Sequence, residues 1–220
     1  DHAVNLPRIF ADKGLAILPV SRGEYVISSF RAYEKIPRDS MCGSACVVRP
    51  PAHLQSLSSR YVTSEAVALH YAGACGIWKD FLADEDMTPT ISGRMGSGEF
   101  KCLVSTARGN LSLVVRNAQL EIDAACEGRG SLALIEAKMD LSEDFHIRQL
   151  YYPFRLWRER VSKPVRNVFF NYSDGTFLVY EYVFDDPMCY NSLRLHQMKR
   201  YVVATDITMR DLETLSAAVA

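Results

Sequence analysis

Asp123, Glu136 and Lys138 are the residues whose types and spacing carry the clearest chemistry in this chain. Asp123 closes Gln119-Leu-Glu-Ile-Asp-Ala124, and the other two end the apolar run Ser131-Leu-Ala-Leu-Ile-Glu-Ala-Lys138. Between them lies a polar turn through Glu127, Gly128, Arg129 and Gly130. Apolar runs of strand length around a glycine-rich centre predict a β-hairpin. In a period-two strand Leu120, Ile122 and Ala124 share one face, and Glu121 and Asp123 the other. Along the second strand Leu132, Leu134, Glu136 and Lys138 fall on one face, and Ala133, Ile135 and Ala137 on the opposite one. Glu136 and Lys138 therefore leave the strand from the same side, and pairing brings Asp123 near both.

Two carboxylates with the Ala137 carbonyl between them are hard oxygen ligands of the kind Mg²⁺ prefers, with substrate phosphate and water completing the shell. Carboxylates that share a cation at metal–oxygen distances of about 2.1 Å should stand roughly 4–6 Å apart. Lys138 is then placed to orient or deprotonate a water, or to stabilise charge developing on phosphorus oxygens. Glu-x-Lys by itself is common on solvated strand ends. The upstream Ile-Asp, the glycine turn, the apolar run and Gln149 on the following helix favour the metal site.

Asp123, Glu136-Ala137-Lys138 and Gln149 resemble the signature of the PD-(D/E)XK nuclease superfamily, especially its type II restriction endonuclease-like members. Ile122 stands where the nominal motif has proline, and the resemblance covers about Ser64 to Phe184. It implies an α/β fold, a restriction-endonuclease-like sandwich with a mixed central sheet flanked by helices. It also implies Mg²⁺-dependent hydrolysis of phosphodiester bonds in double-stranded DNA. Gln149 would support the metal site, binding phosphate or a metal-bound water, or would be a plain surface residue. Glu65, on the first core helix, would be a further acidic residue near the metal, or a first-turn carboxylate that favours the helix dipole. Such an enzyme acts as a homodimer to cut two strands, with a cognate methyltransferase encoded nearby if its role is restriction. A repair or junction-resolving nuclease, and an inactive nucleic-acid-binding module, are the alternatives.

The remaining composition sets the limits. With 220 residues, 48% of them hydrophobic, the chain suits one domain with a sizeable core, or a catalytic domain carrying a small module. Its formal charge of −1 indicates neither disorder nor a strongly basic nucleic-acid binder, so DNA contact must come from local patches. Neither a long apolar span nor a basic-plus-apolar leader is present, and no membrane association is expected. The first residue is Asp rather than Met, which suggests a trimmed or partial chain. Six cysteines in a chain large enough to fold without staples point to a reducing, cytoplasmic setting. Cys42 and Cys46 near His53 lack a second ligand pair and read as incidental thiols.

The elements that must position these groups follow from periodicity. Residues 1–60 read as a small N-terminal module and connector, with a short helix closed by Gly14, strands Leu15–Val20 and Tyr25–Phe30, and a short strand near Val47-Val48. Arg22 and Arg31 in it are isolated arginines, read as solvated. Residues 61–220 form the nuclease core. A helix over Glu65–Leu82 is capped by Ser64, and the glycine-rich loop Thr90–Phe100 can set Arg94 and Ser97 against a DNA backbone. Strands at Glu99–Val104 and Leu111–Val115 lead to the central hairpin. A helix from a Ser142 cap to about Arg160 contains Pro153, which predicts a kink or break. Arg148, Arg155, Arg158, Arg160, Lys163 and Arg166, interleaved with aromatics, suit phosphate contact. A hairpin over 165–184, a strand within Leu193–Ala204 and a helix from about Thr208 to Val219 complete the chain.

Overall fold

The structure, a computed structural model, describes residues 3–37, 43–139 and 143–204. The expected Ser142 cap, the terminal helix at 208–219 and Cys42 lie outside these residues.

Helix α1 (Arg8–Lys13) stops at Gly14, which takes the left-handed conformation (φ 59°) that closes helices. β1 (Ala16–Ser21) and β2 (Glu24–Ser28) pair as a hairpin around Arg22-Gly23, with Gly23 at φ 80°. Two short strands follow, β3 (Tyr33–Lys35) and β4 (Cys46–Val48). The helix expected over 65–82 is two helices, α2 (Glu65–Ala74) and α3 (Ile77–Leu82), because Gly76 adopts φ 73° and turns the chain between them. The Ser64 hydroxyl accepts from the Val67 N–H and caps α2 as expected.

The segment expected as a loop is instead β5 (Thr88–Gly96), paired antiparallel with β8 (Gln119–Glu127). Its local glycines allow two register shifts, one beside Gly93 (φ 109°), so the segment follows β8 as a strand despite its loop-like composition. β6 (Glu99–Thr106) and β7 (Gly109–Arg116) form a separate two-stranded ribbon. β8 pairs with β9 (Leu132–Met139) as the predicted hairpin. At its turn a Cβ on Gly128 would lie 2.3 Å from Asp84 Oδ2, so a side chain there would displace the Asp84 carboxylate, which accepts from the Gly130 N–H.

After β9 the chain forms β10 (Asp144–His146), which pairs with β3, before α4 (Arg148–Trp157) begins. The helix is thus shorter than the predicted one, and it runs through Pro153 without a break. β11 (Val165–Ser173), β12 (Thr176–Phe184) and β13 (Leu193–Val203) match the predicted strands.

These strands assemble into a seven-stranded mixed sheet in the order β4-β13-β12-β11-β9-β8-β5, in which β9 lies parallel to β11 and β13 parallel to β4. The fold is mixed α/β with few helices. One face of the sheet, including Ile135, Val168, Phe170 and Val179, is covered by α2 and α3 through Leu69, Trp78 and Phe81. The other face, including Leu134, Phe169 and Tyr180, is covered by α4, the β6–β7 ribbon and Leu18 of β1. Each fully buried aliphatic or aromatic side chain in these layers contributes about 1.5–3 kcal/mol. β9 is buried on both faces through Ala137, which is why it reads as a continuous apolar run. Within residues 1–60, β4 extends the main sheet and β3 pairs with β10.

Candidate active site

The β8–β9 ladder runs from Glu127↔Leu132 to Ala124↔Ile135 and stops there. One step further the strands part, and the Asp123 carboxylate, not its backbone, accepts from the Ala137 N–H at 2.8 Å. Splaying the hairpin at this point opens the sheet on the side where Glu136 and Lys138 emerge. The Asp123 and Glu136 carboxyls come within hydrogen-bonding reach of each other. Lys138 Nζ donates to Glu136 Oε1 at 2.6 Å and to the Ala137 carbonyl at 2.8 Å.

α4 supplies Gln149. Its Nε2 donates to Glu136 Oε1, while its Oε1 accepts from the His146 N–H at 3.2 Å, so both ends of the amide are held. His146 is itself fixed. Its Nδ1 accepts from the Arg148 N–H at 3.1 Å, which leaves the proton on Nε2 to donate to the Ile17 carbonyl at 3.2 Å. Glu65, first residue of α2, reaches the site from the opposite layer, with Oε1 3.7 Å from Lys138 Nζ. Asp123, Glu136, Lys138, Gln149 and Glu65 all line one cavity of about 550 Å³.

Burial dominates the electrostatics. It pushes the Glu136 carboxyl up to about 8 against the pull of Lys138, and raises Asp123 as well. Burial also works against the Lys138 ammonium, but Glu136, Glu65 and Asp123 together lift its pKa above the ordinary value. With both carboxyls ionised, as they would be around a cation, the site would hold more buried negative charge than one ammonium compensates.

That imbalance, with hard oxygens converging from Asp123, Glu136 and the Ala137 carbonyl, fits a divalent cation such as Mg²⁺. Among the described residues no group of three or more His, Cys, Asp or Glu side chains is arranged as a metal site. The donor set here is two carboxylates and a main-chain carbonyl.

The basic residues singled out in the sequence separate into two groups. Arg94 and Arg148 line the same cavity, Arg94 paired with Glu121 at 3.1 Å. Arg158 is exposed over the Phe154 ring. Arg155 is not a surface cation: it is 4% exposed, lies against Phe100, and donates to the Lys101 carbonyl and the Tyr151 hydroxyl. Ser97 is likewise buried, its hydroxyl spent on the Gly98 carbonyl, because β5 turns directly into β6 there. Lys163 holds Glu127 and the Gly128 carbonyl, tying down the far turn of the hairpin. Arg166 makes a two-point pair with buried Glu181. Helical spacing could not separate these cases, since strand neighbours distant in sequence supply the partners. The cavity also includes Asn5 and Glu121. Glu121 shares a strand face with Asp123, a usable signal, whereas no local pattern points to Asn5.

The chain belongs to the family described as a domain of unknown function, DUF6997, which matches residues 28–202. Residues 1–27 match a second domain of unknown function, DUF6996. The junction between the two matches falls inside β2. Neither the curated proteins nor the solved structures contain a match to this chain. No helix among the described residues is long and apolar enough to cross a membrane.

Proposed function

We propose that this protein is a metal-dependent nuclease of the PD-(D/E)XK type, hydrolysing phosphodiester bonds in double-stranded DNA, with a type II restriction-like role. In this reading the mixed sheet with α2 and α3 on one face and α4 on the other is a restriction-endonuclease-like sandwich. The observation that carries it is the convergence of Asp123, Glu136, Lys138, Gln149 and Glu65, from four separate elements, on one cavity. Asp123, Glu136 and the Ala137 carbonyl would hold Mg²⁺, which supplies Lewis-acid stabilisation of charge on the phosphoryl oxygens. Lys138 would orient the attacking water or meet the developing charge. Gln149 keeps the Glu136 carboxylate aimed into the cavity, and Glu65 holds Lys138 from the other side. A homodimer would cut both strands, and a cognate methyltransferase would accompany a restriction role. A repair or junction-resolving nuclease uses the same site.

Plasmid nicking with Mg²⁺ and with EDTA tests this reading. The parent should nick only with Mg²⁺. Asp123→Asn, which retains an acceptor for the Ala137 N–H and so stays folded, should not nick yet should still bind DNA. An Asp123→Asn variant as active as the parent would remove the metal site from the reading.

A further inference from the structure

A second groove, of about 410 Å³, adjoins the candidate active site and shares Leu120, Glu121 and Arg148 with it. Its far wall is the β1–β2 turn, through Ser21, Arg22, Gly23 and Tyr25. We propose that this groove receives the DNA strand on one side of the reacting phosphate, with Arg22 and Arg148 as phosphate contacts and Tyr25 against a sugar or base. The identity of the substrate rests on the nuclease reading.

Charge is the first support. Of the acidic groups beside the groove, Glu121 is paired with Arg94, and Glu24 accepts from the Ser21 hydroxyl at 2.6 Å. Among the described residues neither Arg22 nor Arg148 is paired with a carboxylate. Arg148 is held by neutral groups, donating to the Gln119 carbonyl at 3.0 Å and lying over the Tyr152 ring at 5.8 Å. Its position is therefore set while its charge stays uncompensated, unlike Lys163 and Arg166, which carboxylates neutralise. A guanidinium so placed suits a phosphate.

The second support is rigidity. The hairpin is anchored to the core by fully buried Leu18, by the Tyr152 hydroxyl on the Pro19 carbonyl at 2.5 Å, and by His146 Nε2 on the Ile17 carbonyl. The groove wall is thus formed before any ligand arrives, which lowers the ordering cost of binding. On that wall Tyr25 is 58% exposed, a large ring left toward solvent beside two uncompensated cations. Ring and cations together match a strand of alternating bases and phosphates.

The test is binding of a labelled duplex of about 30 base pairs, in Ca²⁺ to hold off cleavage, across a salt titration with the parent, Arg22→Ala and Arg148→Ala, each checked for an unchanged thermal midpoint. Each variant should bind about five- to tenfold more weakly at moderate salt, and the slope of log K against log salt should shrink by about 0.9. Equal affinity and slope in the Arg22→Ala variant and the parent would overturn the groove, as would a parent that does not bind the duplex. A parent that shows the Arg22 dependence but does not nick plasmid in Mg²⁺ leaves the groove standing and removes the nuclease reading.

Discussion

Lys138 Nζ lies 2.6 Å from Glu136 Oε1 and also takes the Ala137 carbonyl, so the ammonium bridges two of the three oxygens suited to a divalent cation. Lysine and cation therefore compete for the same donors. Lys138→Met should abolish nicking and yet bind Ca²⁺ on the order of tenfold more tightly by calorimetry. A like charge about 4 Å away at an effective dielectric of 20 opposes binding by up to about 4 kcal/mol, of which the tenfold gain is a part. Removing the ammonium takes away the pull that lowers the Glu136 carboxyl, already raised to about 8 by burial, so it stays protonated and the variant should stay folded at neutral pH. Weaker Ca²⁺ binding in Lys138→Met would show that the ammonium does not compete.

Gln149 acts through Glu136. Its amide is fixed at both ends, by Glu136 and by the His146 N–H. Gln149→Ala should lower Mg²⁺-dependent nicking or Ca²⁺ affinity by about 10- to 100-fold, the usual effect of losing a group that orients a ligand. Gln149→Glu, which sets a second carboxylate against Glu136, should not rescue. Full activity in Gln149→Ala would place the residue outside the site.

Arg155 and Arg158 should behave differently although they are neighbours on the same helix. Arg155→Ala removes a buried guanidinium from the Lys101 carbonyl, the Tyr151 hydroxyl and the Phe100 ring. It should cost about 2–4 kcal/mol in urea unfolding followed by tryptophan fluorescence. Arg158→Ala, at an exposed position, should leave stability within about 0.5 kcal/mol. Equal stability of the two variants would contradict the burial of Arg155.

Burial is the first cause that lowers the His146 pKa from 6.5 to about 4, and the nearby Arg148 charge adds to it. Between those values the unfolded chain binds a proton that the folded chain refuses. The contribution to stability is complete above pH 6.5 and is lost as pH falls toward 4, by up to about 3 kcal/mol. Urea unfolding of the parent and His146→Gln at steps across this range should converge as pH drops, the difference curve cancelling groups common to both. Parallel curves would show that His146 titrates normally in the fold.

The alternation along β9 was enough, by itself, to put Glu136 and Lys138 on one face, because a strand's side-chain direction is a local property of period two; Asp123 is brought up to them by the pairing of β8 with β9 and the parting of the strands beyond Ala124. The 165–184 hairpin and the Ser64 cap were legible for the same reason: turn and cap chemistry act within a few residues. Tertiary structure decided the rest. β8, with an open edge, recruited the glycine-rich segment as β5. Arg155, polar in sequence, was drawn inside by partners on a distant element, and Ser97 was buried by the turn of β5 into β6, while Arg22 was brought beside the candidate active-site cavity by the anchoring of β1 under α4. Whether an arginine meets a carboxylate, a carbonyl or open solvent depends on strands far away in the chain. That is a consequence of long-range packing, which no local spacing encodes.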